Sequence, residues 1–366
     1  MDSQRLNRRL RPVNEPVRVA VVGLGYWGPN LVRVLHELPE ASVTAVCDLR
    51  PEVLGRTALR YPAARMSSSF EDVLADTSVD AVALATPVST HYELAAAALR
   101  AGKHVFVEKP LAGSSQEALE LLELSREEQL VLMPGHTFLY SAPVNMSREL
   151  IERGELGEIF FISTSRVNLG LHQRDVSVVW DLGPHDFSIL RYWLGEMPSK
   201  VSALSRSCII EGTPDVAFID LEFPSGTIAH VELSWLAPSK LRRTAIVGSR
   251  KMVVYDDTSN EPIRIFDSGA DVRDPETFGE FRLTYRTGDI VSPRVDVSEP
   301  LQLELADFCK AVRTGSKPMS SAELGLDVIR ITEAVDRSLA GGGAPVAVQG
   351  IFPAVSLELE NAIDGA

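Results

Sequence analysis

The stretch VRVAVVGLGYWGPNLVRVLHEL, Val17 to Leu38, decides the fold. It opens as a short apolar run of the kind that forms a buried strand, and Leu31, Val34, Leu35 and Leu38 later recur at helical spacing. Between the two, Gly23, Gly25 and Gly28 stand in G-x-G-x-x-G spacing. After a strand and before a helix, the first glycine permits a tight turn, the second lets backbone approach a pyrophosphate, and the third permits close packing of helix on strand. The helix N-terminus then faces phosphates. Asp48 ends the next apolar run, SVTAVCD, where a carboxylate can accept hydrogen bonds from an adenosine ribose. That favours NAD(H). Arg50, two residues on, could instead attend a 2′-phosphate, so NADP(H) stays open.

Outward from this stretch the strand and helix alternation continues. A helix over Pro51–Arg60, the strand VDAVALAT, a helix around Tyr92 to Arg100, the strand KHVFVEK, a helix over 115–129 and the strand LVLMPG follow in turn. Such alternation predicts a parallel sheet, complete near residue 135. The grammar then changes: EIFFISTSRVN, KVSALSRSCII, VAFIDLEF and TIAHVELSWL read as strands separated mainly by turns. Val231, Leu233 and Trp235 alternate with Glu232 and Ser234, the pattern of a half-buried sheet. TAIVGSRKMVVYDD reads as a hairpin about Gly248 and Ser249, whereas residues 267–299, rich in Asp, Gly, Pro and Arg, read as an excursion. Two amphipathic helices follow, marked by Leu301, Leu305, Phe308 and Val312 and by Leu324, Val328, Ile331, Val335 and Leu339, with Ser320 and Glu323 in capping-box spacing before the second.

The expected fold class is therefore α/β: an N-terminal dinucleotide-binding domain over 17–135 and a C-terminal α+β domain over 136–366 with a large, mostly antiparallel open sheet. The helices within 301–340 are expected to pack back toward the first domain, and residues 1–16, with four arginines, to form a flexible basic arm. Composition agrees with a globular chain: 366 residues, 45% hydrophobic and 23% charged. A net charge of −14 argues against a nucleic-acid partner, and no apolar stretch approaches the roughly 20 residues needed to span a bilayer. Cys47, Cys208 and Cys309 have no paired spacing, which fits a reducing cytoplasm better than a disulfide framework or thiolate zinc site. An open sheet face would suit a homodimer or homotetramer.

Two further clusters carry chemistry. Glu108, Lys109 and Pro110 follow the strand HVFV, so the lysine leaves the carboxyl edge of the sheet, where such folds bind ligands, and can orient a reacting oxygen. The Lys109–Pro110 bond is a candidate for the cis form. In WDLGPHDFSILRYWLG, Trp180 to Gly195, Asp181 and His185 are four apart and share one face of a helical turn. An imidazole can take the proton of a hydroxyl while hydride leaves its carbon, and the carboxylate can orient it. Asp181, His185 and Asp186 lack the further ligands of a recognised zinc or iron site, so no metal is expected.

With the glycine loop, EKP and DLGPHDFSIL together, the sequence resembles the Gfo/Idh/MocA oxidoreductase family over nearly the whole chain after residue 16. The resemblance implies a Rossmann domain and an NAD(P)-dependent oxidoreductase acting on CH–OH groups of a sugar. It implies catalytic roles around the substrate carbinol for Lys109, Asp181 and His185. It further implies that Tyr26 and Trp27 cover the cofactor diphosphate, that Thr86, Pro87 and His91 line its nicotinamide-ribose side, and that Glu108 lies nearby. Arg166 and Asn168 fall where family members place substrate contacts, in a stretch reaching to Arg174. The segment SRVNLGLHQRDVSVVWDLGPHD, residues 165–186, is similar to members acting on nucleotide-linked sugars, including those that oxidise the 3-hydroxyl of a UDP-amino sugar uronate. Arg166, His172 and Arg174 could then pair with carboxylate or diphosphate, or be surface charges. An NADPH-dependent ketoreductase of a keto-deoxysugar nucleotide and a catalytically silent NAD(P)-binding sensor are the competing readings.

Overall fold

A computed structural model of the chain describes residues 15–170, 176–273, 282–296 and 298–349. His172, Arg174, most of the basic arm and the last residues of the chain lie outside the described set.

The first sheet comprises β1 (Val17–Val22), β2 (Ala41–Cys47), β3 (Arg65–Ser67), β4 (Ala81–Leu84), β5 (His104–Glu108) and β6 (Leu132–Gly135). Its strands run parallel in the order β3-β2-β1-β4-β5-β6. That is the doubly wound order, whose switch point lies between β1 and β4. Helices α1 (Gly28–Glu37), α2 (Pro51–Arg60), α3 (Phe70–Ala75), α4 (His91–Arg100) and α5 (Ser115–Glu127) connect the strands. β4 and β5 are buried at every position, as strands covered on both faces must be. The caps follow from local chemistry: Pro51 occupies the first turn of α2, and Ser114 Oγ accepts from the Glu117 amide to start α5. β3 and α3 are elements that the sequence reading did not anticipate; three and six residues are too few to show a period.

After α6 (Ala142–Glu152), the second sheet is built from β7 (Ile159–Leu169), β8 (Lys200–Arg206), β9 (Val216–Glu222), β10 (Ile228–Ser234), β11 (Leu236–Gly248), β12 (Met252–Asp256), β13 (Ile263–Arg273), β14 (Arg282–Val291) and β15 (Val346–Ala347). Its order is β14-β13-β12-β11-β7-β10-β9-β8-β15, antiparallel throughout except for the parallel pair β7 and β10. The expected hairpin about Gly248 is present as β11 and β12. Residues 267–299, expected to leave the sheet, instead contribute most of β13 and all of β14, a long edge hairpin. Its described outer positions Tyr285, Ile290 and Val291 are all exposed, so no buried face imposes the alternation by which a strand is recognised.

One face of this sheet is covered by α7 (Val178–Leu194), and α8 (Pro300–Thr314) and α9 (Ala322–Ala340) follow β14. Ser177 caps α7 and Gly195, at φ 70°, ends it in the left-handed conformation. At Gly183 a Cβ would stand 2.8 Å from the ring of Phe187 on the same helix, so the missing side chain makes room for that ring, while Leu233 of β10 would lie at an ordinary 3.5 Å. The N-cap of α9 is Ser321, not Ser320: Ser321 Oγ accepts from the Leu324 amide, while Ser320 Oγ donates to the Pro134 carbonyl at 2.6 Å. α8 and α9 lie against the first sheet's elements, with Phe308 edge-on to Phe106 at 5.8 Å and Glu333 accepting from both Ser115 N and Oγ at 2.7 Å. These contacts bring α8 against β5 and α9 against the start of α5.

Candidate active site

The glycine loop leaves β1 at the switch point. Gly23, at φ 89°, is tucked under β4: a Cβ there would stand 2.6 Å from the Ala85 carbonyl oxygen. At Gly28 a Cβ would come within 1.9 Å of the Gly23 carbonyl oxygen, so the turn closes only without side chains. Gly25 is different, since a Cβ on it would meet nothing within 4 Å. Its missing side chain leaves open room above the loop, in front of an α1 N-terminus that Trp27 does not cap with a side-chain bond. This is the shape and polarity that a dinucleotide's pyrophosphate requires. Tyr26 and Trp27 are exposed beside it, their rings edge to face at 5.9 Å.

Asp48 is buried at the end of β2. Its Oδ2 accepts from the Leu24 amide at 2.7 Å, and Arg50 binds both oxygens through its backbone amide, Nε and Nη2 at 2.8–2.9 Å. The Arg50 side chain, followed against burial by the two backbone amides, draws the carboxyl down to about 2. Asp48 is thus an ionised acceptor tied to the glycine loop, with a half-exposed guanidinium laid over it.

The Lys109–Pro110 peptide is cis. Lys109 Nζ donates to the Asp181 carbonyl at 2.6 Å and to Asp181 Oδ1 at 3.0 Å. Asp181 Oδ2 accepts from Trp235 Nε1 at 3.1 Å, so the carboxylate is held from two sides. His185, one turn further along α7, packs edge-on against Phe138 with ring centroids 4.9 Å apart. Burial, and then chiefly the charges of Lys109 and Arg166, hold its imidazole well below its ordinary range, so it stands neutral. Its Nδ1 is shut off from solvent and has no partner within the protein. The three residues singled out for the carbinol chemistry therefore meet at one place, although only Lys109 and Asp181 touch directly.

The remaining sequence candidates fall into three groups. Thr86 and Pro87 end β4 near the loop; Thr86 Oγ1 accepts from Thr90 Oγ1 at 2.8 Å. His91 is 1% exposed, with Nδ1 2.8 Å from the Pro110 carbonyl oxygen and Nε2 2.9 Å from that of Thr86. It braces the cis-proline loop against the β4 loop. Arg166, on β7, is 3% exposed and forms a buried ion pair with Asp186 through Nε at 2.6 Å and Nη2 at 3.2 Å. Thr164 adds a third donor to Asp186 at 3.0 Å, while Arg166 Nη1 has no partner in the protein. Asn168 is half-buried near the end of the same strand.

Glu108, which the sequence reading placed near the cofactor, and several residues that it passed over complete the site. Arg242 stands opposite Arg166 across the β7–β11 pairing, and their guanidinium carbons lie 5.4 and 4.4 Å from the Phe138 ring centroid. Trp235 was read only as a sheet-face residue. His136, Thr137 and Phe138 sit in the turn after β6. Burial pushes Glu108 up to about 7 against the pull of Lys109, and burial, helped by Glu108, pushes Glu304 well above the ordinary carboxyl range. Apart from Glu108, none of these carries a local signal: each finds its partner only across the fold. Among the described residues no group of three or more His, Cys, Asp or Glu is placed to hold a metal.

Comparison with known proteins bears on the same residues. A family model described as oxidoreductase family, NAD-binding Rossmann fold, matches residues 17–136, and the GFO/IDH/MocA C-terminal domain matches residues 144–254. The chain belongs to the Gfo/Idh/MocA oxidoreductase family. Myo-inositol 2-dehydrogenase of Thermotoga maritima is 25% identical over 334 residues, covering 88% of this chain and 96% of that protein. The 2,7-anhydro-N-acetylneuraminate hydratase of Escherichia coli is 30% identical over 232 residues, which is 59% of this chain and 61% of that protein. An uncharacterized oxidoreductase of Streptococcus pneumoniae is likewise matched over only 62% of its length, at 28% identity. Among solved structures, GenD2 from gentamicin A biosynthesis, in complex with NAD, has a TM-score of 0.78 at 25% identity, covering 93% of this chain and 99% of that one. Within this family the glycine loop and first sheet constitute the NAD(P)-binding Rossmann fold, and the chain is an oxidoreductase. Among the described residues no helix is long and apolar enough to cross a membrane.

Proposed function

We propose that this Gfo/Idh/MocA member is an NAD(H)-dependent dehydrogenase that interconverts a carbinol and a carbonyl on a sugar, polyol or nucleotide-linked sugar. The observation that carries the reading is the hold on Lys109. Its amine has three hydrogens, and Asp181 engages two directions through its carbonyl and Oδ1, leaving one for a reacting oxygen. Trp235 fixes the other carboxylate oxygen, so the lysine's aim is set before substrate arrives. His185, neutral and one helical turn away, accepts the hydroxyl proton in oxidation and returns it in reduction. When bound, the nicotinamide would supply hydride acceptance and donation. The residues that would hold the dinucleotide are Gly23, Gly25 and Gly28 at the pyrophosphate and Asp48 at the adenosine ribose.

NAD(H) is preferred over NADP(H) in this reading because ionised Asp48 repels a 2′-phosphate. Arg50, half-exposed beside it, favours the second reading, an NADPH-dependent ketoreductase. A polyol or sugar substrate is supported by the named activity of the Thermotoga relative, and a nucleotide-linked sugar by the likeness of residues 165–186. The uncovered face of the second sheet, where Phe161, Leu204, Phe218 and Ile228 are exposed on neighbouring strands, supports assembly into a homodimer or homotetramer.

Mass spectrometry of small molecules released from gently purified protein tests the cofactor and the sugar together. NAD(H) with or without a sugar nucleotide supports the first reading; NADP(H) installs the second. Lys109→Ala is expected to leave NAD+ affinity within a few-fold yet lower turnover by about 100-fold or more. Turnover retained in that variant refutes the assignment.

A further inference from the structure

The Asp48 carboxylate, the group placed to receive an adenosine ribose, is already fully occupied by donors of the protein itself. Two carboxylate oxygens offer about four lone-pair directions in all. Oδ1 accepts from the Arg50 backbone amide at 2.9 Å and from Arg50 Nε at 2.8 Å. Oδ2 accepts from the Leu24 amide at 2.7 Å and from Arg50 Nη2 at 2.8 Å. Each oxygen thus carries one backbone donor and one guanidinium donor. The backbone donors are fixed: Leu24 lies in the glycine loop, and the Arg50 carbonyl accepts the Val53 and Leu54 amides that start α2 at 3.1 and 3.2 Å. Asp48 is fixed as well, since it is buried and its own amide donates to the Ser67 carbonyl at 3.2 Å. The Arg50 side chain is the part free to move. It is 50% exposed, and α2 begins without a side-chain cap bond.

Nε and Nη2 form one edge of a rigid planar fork, two parallel N–H donors matched to the two oxygens of a carboxylate. The vicinal hydroxyls of a ribose are likewise two neighbouring donors. Fork and diol therefore compete for the same two lone-pair directions, one on each oxygen of Asp48, while the two backbone amides stay in place under either.

We propose that the Arg50 guanidinium is a latch seated in the place of the ribose diol, that it swings off Asp48 when a dinucleotide binds, and that the swing frees it to hold a 2′-phosphate. The inference rests on the assignment of Asp48 to the adenosine ribose. An ion pair half in water is held weakly, so opening the latch costs a cofactor no more than about fivefold in affinity. To NAD(H), Arg50 yields both oxygens and receives nothing in return. To NADP(H) it yields the same place and gains a phosphate that its fork fits, which offsets the repulsion of that phosphate by Asp48. The choice between the two cofactors is therefore set by Arg50 together with Asp48, and one side chain moves the two affinities in opposite directions.

The test needs no substrate. Calorimetric titration of the full chain with NAD+ and with NADP+, at pH 7 and one ionic strength, reads the two affinities separately. Arg50→Ala should bind NAD+ about two- to fivefold more tightly than wild type, because no latch has to open, and NADP+ about fivefold or more weakly. Asp48 stays ionised in that variant, since even an ordinary carboxyl titrates far below pH 7. Arg50→Lys keeps the charge without the fork, so NAD+ should tighten as in Arg50→Ala while NADP+ stays within a few-fold of wild type. Melting temperatures should not change, because the side chain is half-exposed and caps no helix. A residue that only touched the adenine, or only added positive charge near the pyrophosphate, would shift both affinities the same way. NAD+ affinity unchanged or reduced in Arg50→Ala overturns the latch, and NADP+ affinity unchanged overturns the phosphate role. The wild-type ratio tests the cofactor reading by itself: a preference for NADP+ displaces NAD(H) there, while the direction of the variants' shifts still decides the latch. Binding of neither dinucleotide removes both.

Discussion

The buried pair Arg166 and Asp186 offers the sharpest test of how the site is built, because it separates support from substrate contact. Both side chains are nearly inaccessible, at 4% and 3%, and three donors converge on the carboxylate. Asp186→Asn preserves shape and the acceptor for Thr164, but leaves the guanidinium charge uncompensated. Breaking a buried pair in this way costs about 3–5 kcal/mol, a large part of the ~5–15 kcal/mol that holds a domain together. The expected fall in melting temperature is roughly 5–15 °C. Arg166→Met with Asp186→Asn removes the stranded charge, and the double variant should regain about 2 kcal/mol or more over Asp186→Asn alone. Urea unfolding of wild type, both single variants and the double variant closes the cycle. Additivity within about 0.5 kcal/mol would refute the claim that the two charges depend on each other. The same double variant decides the role of Arg166. If the guanidinium only braces β7 against α7, KM changes little once the fold is restored; a rise of about tenfold or more, with kcat held, shows that Nη1 reaches substrate.

Three other outcomes follow from particular residues. Gly25→Ala, with open space around the new methyl, should leave the melting temperature unchanged yet weaken NAD+ binding about tenfold or more, whereas Gly28→Ala, 1.9 Å from a carbonyl oxygen, should destabilise the fold itself; equal effects on stability would refute the distinction. Asp48→Ser, with Arg50 retained, should move the NADP+ to NAD+ affinity ratio about tenfold or more toward NADP+, measured by fluorescence titration, and an unchanged ratio removes Asp48 from cofactor choice. His136 is held down to about 3 by burial and then by Lys109, against 6.5 for a free imidazole. The unfolded chain therefore binds this proton first as the pH falls, and the stability contributed by neutral His136 is lost progressively from 6.5 toward 3. His136→Asn should flatten that part of the stability–pH curve in chemical unfolding; an equal or steeper slope contradicts the assignment.

The parts of this protein legible in sequence are those whose physics is local. Gly23 and Gly28 announce themselves because the turn closes only without side chains there, Gly25 because its spacing between them leaves room above the loop, and Asp181 and His185 because four residues make one helical turn. The Pro51–Arg60 helix is read to the residue, since proline at its start and the apolar period both act within the segment. The edge strand β14 is not legible for the converse reason: it has one neighbour, β13, and its Tyr285 and the adjacent Ile290 and Val291 are all exposed, so no buried face gives it a period.

The site shows the same division more severely. The sequence displays the groups that do chemistry, but not the groups that set their state. Asp181 is fixed by Trp235, 54 positions away, and Glu304 is held by Thr137, 167 positions away. His185 is kept neutral by burial and by cations drawn from β5, β7 and β11, which become neighbours only when α7 settles on the second sheet. Gly183 does not set that seating: a Cβ there would stand 2.8 Å from the ring of Phe187 on the same helix and only at ordinary contact distance, 3.5 Å, from Leu233 of β10. Gly183→Ala should therefore displace the buried Phe187 ring and lower the melting temperature while leaving α7 seated and His185 buried, so that histidine NMR titration finds His185 unshifted. A His185 moved toward its ordinary range in a folded Gly183→Ala protein would refute this and show that the packing of Phe187 sustains the burial that keeps the imidazole neutral.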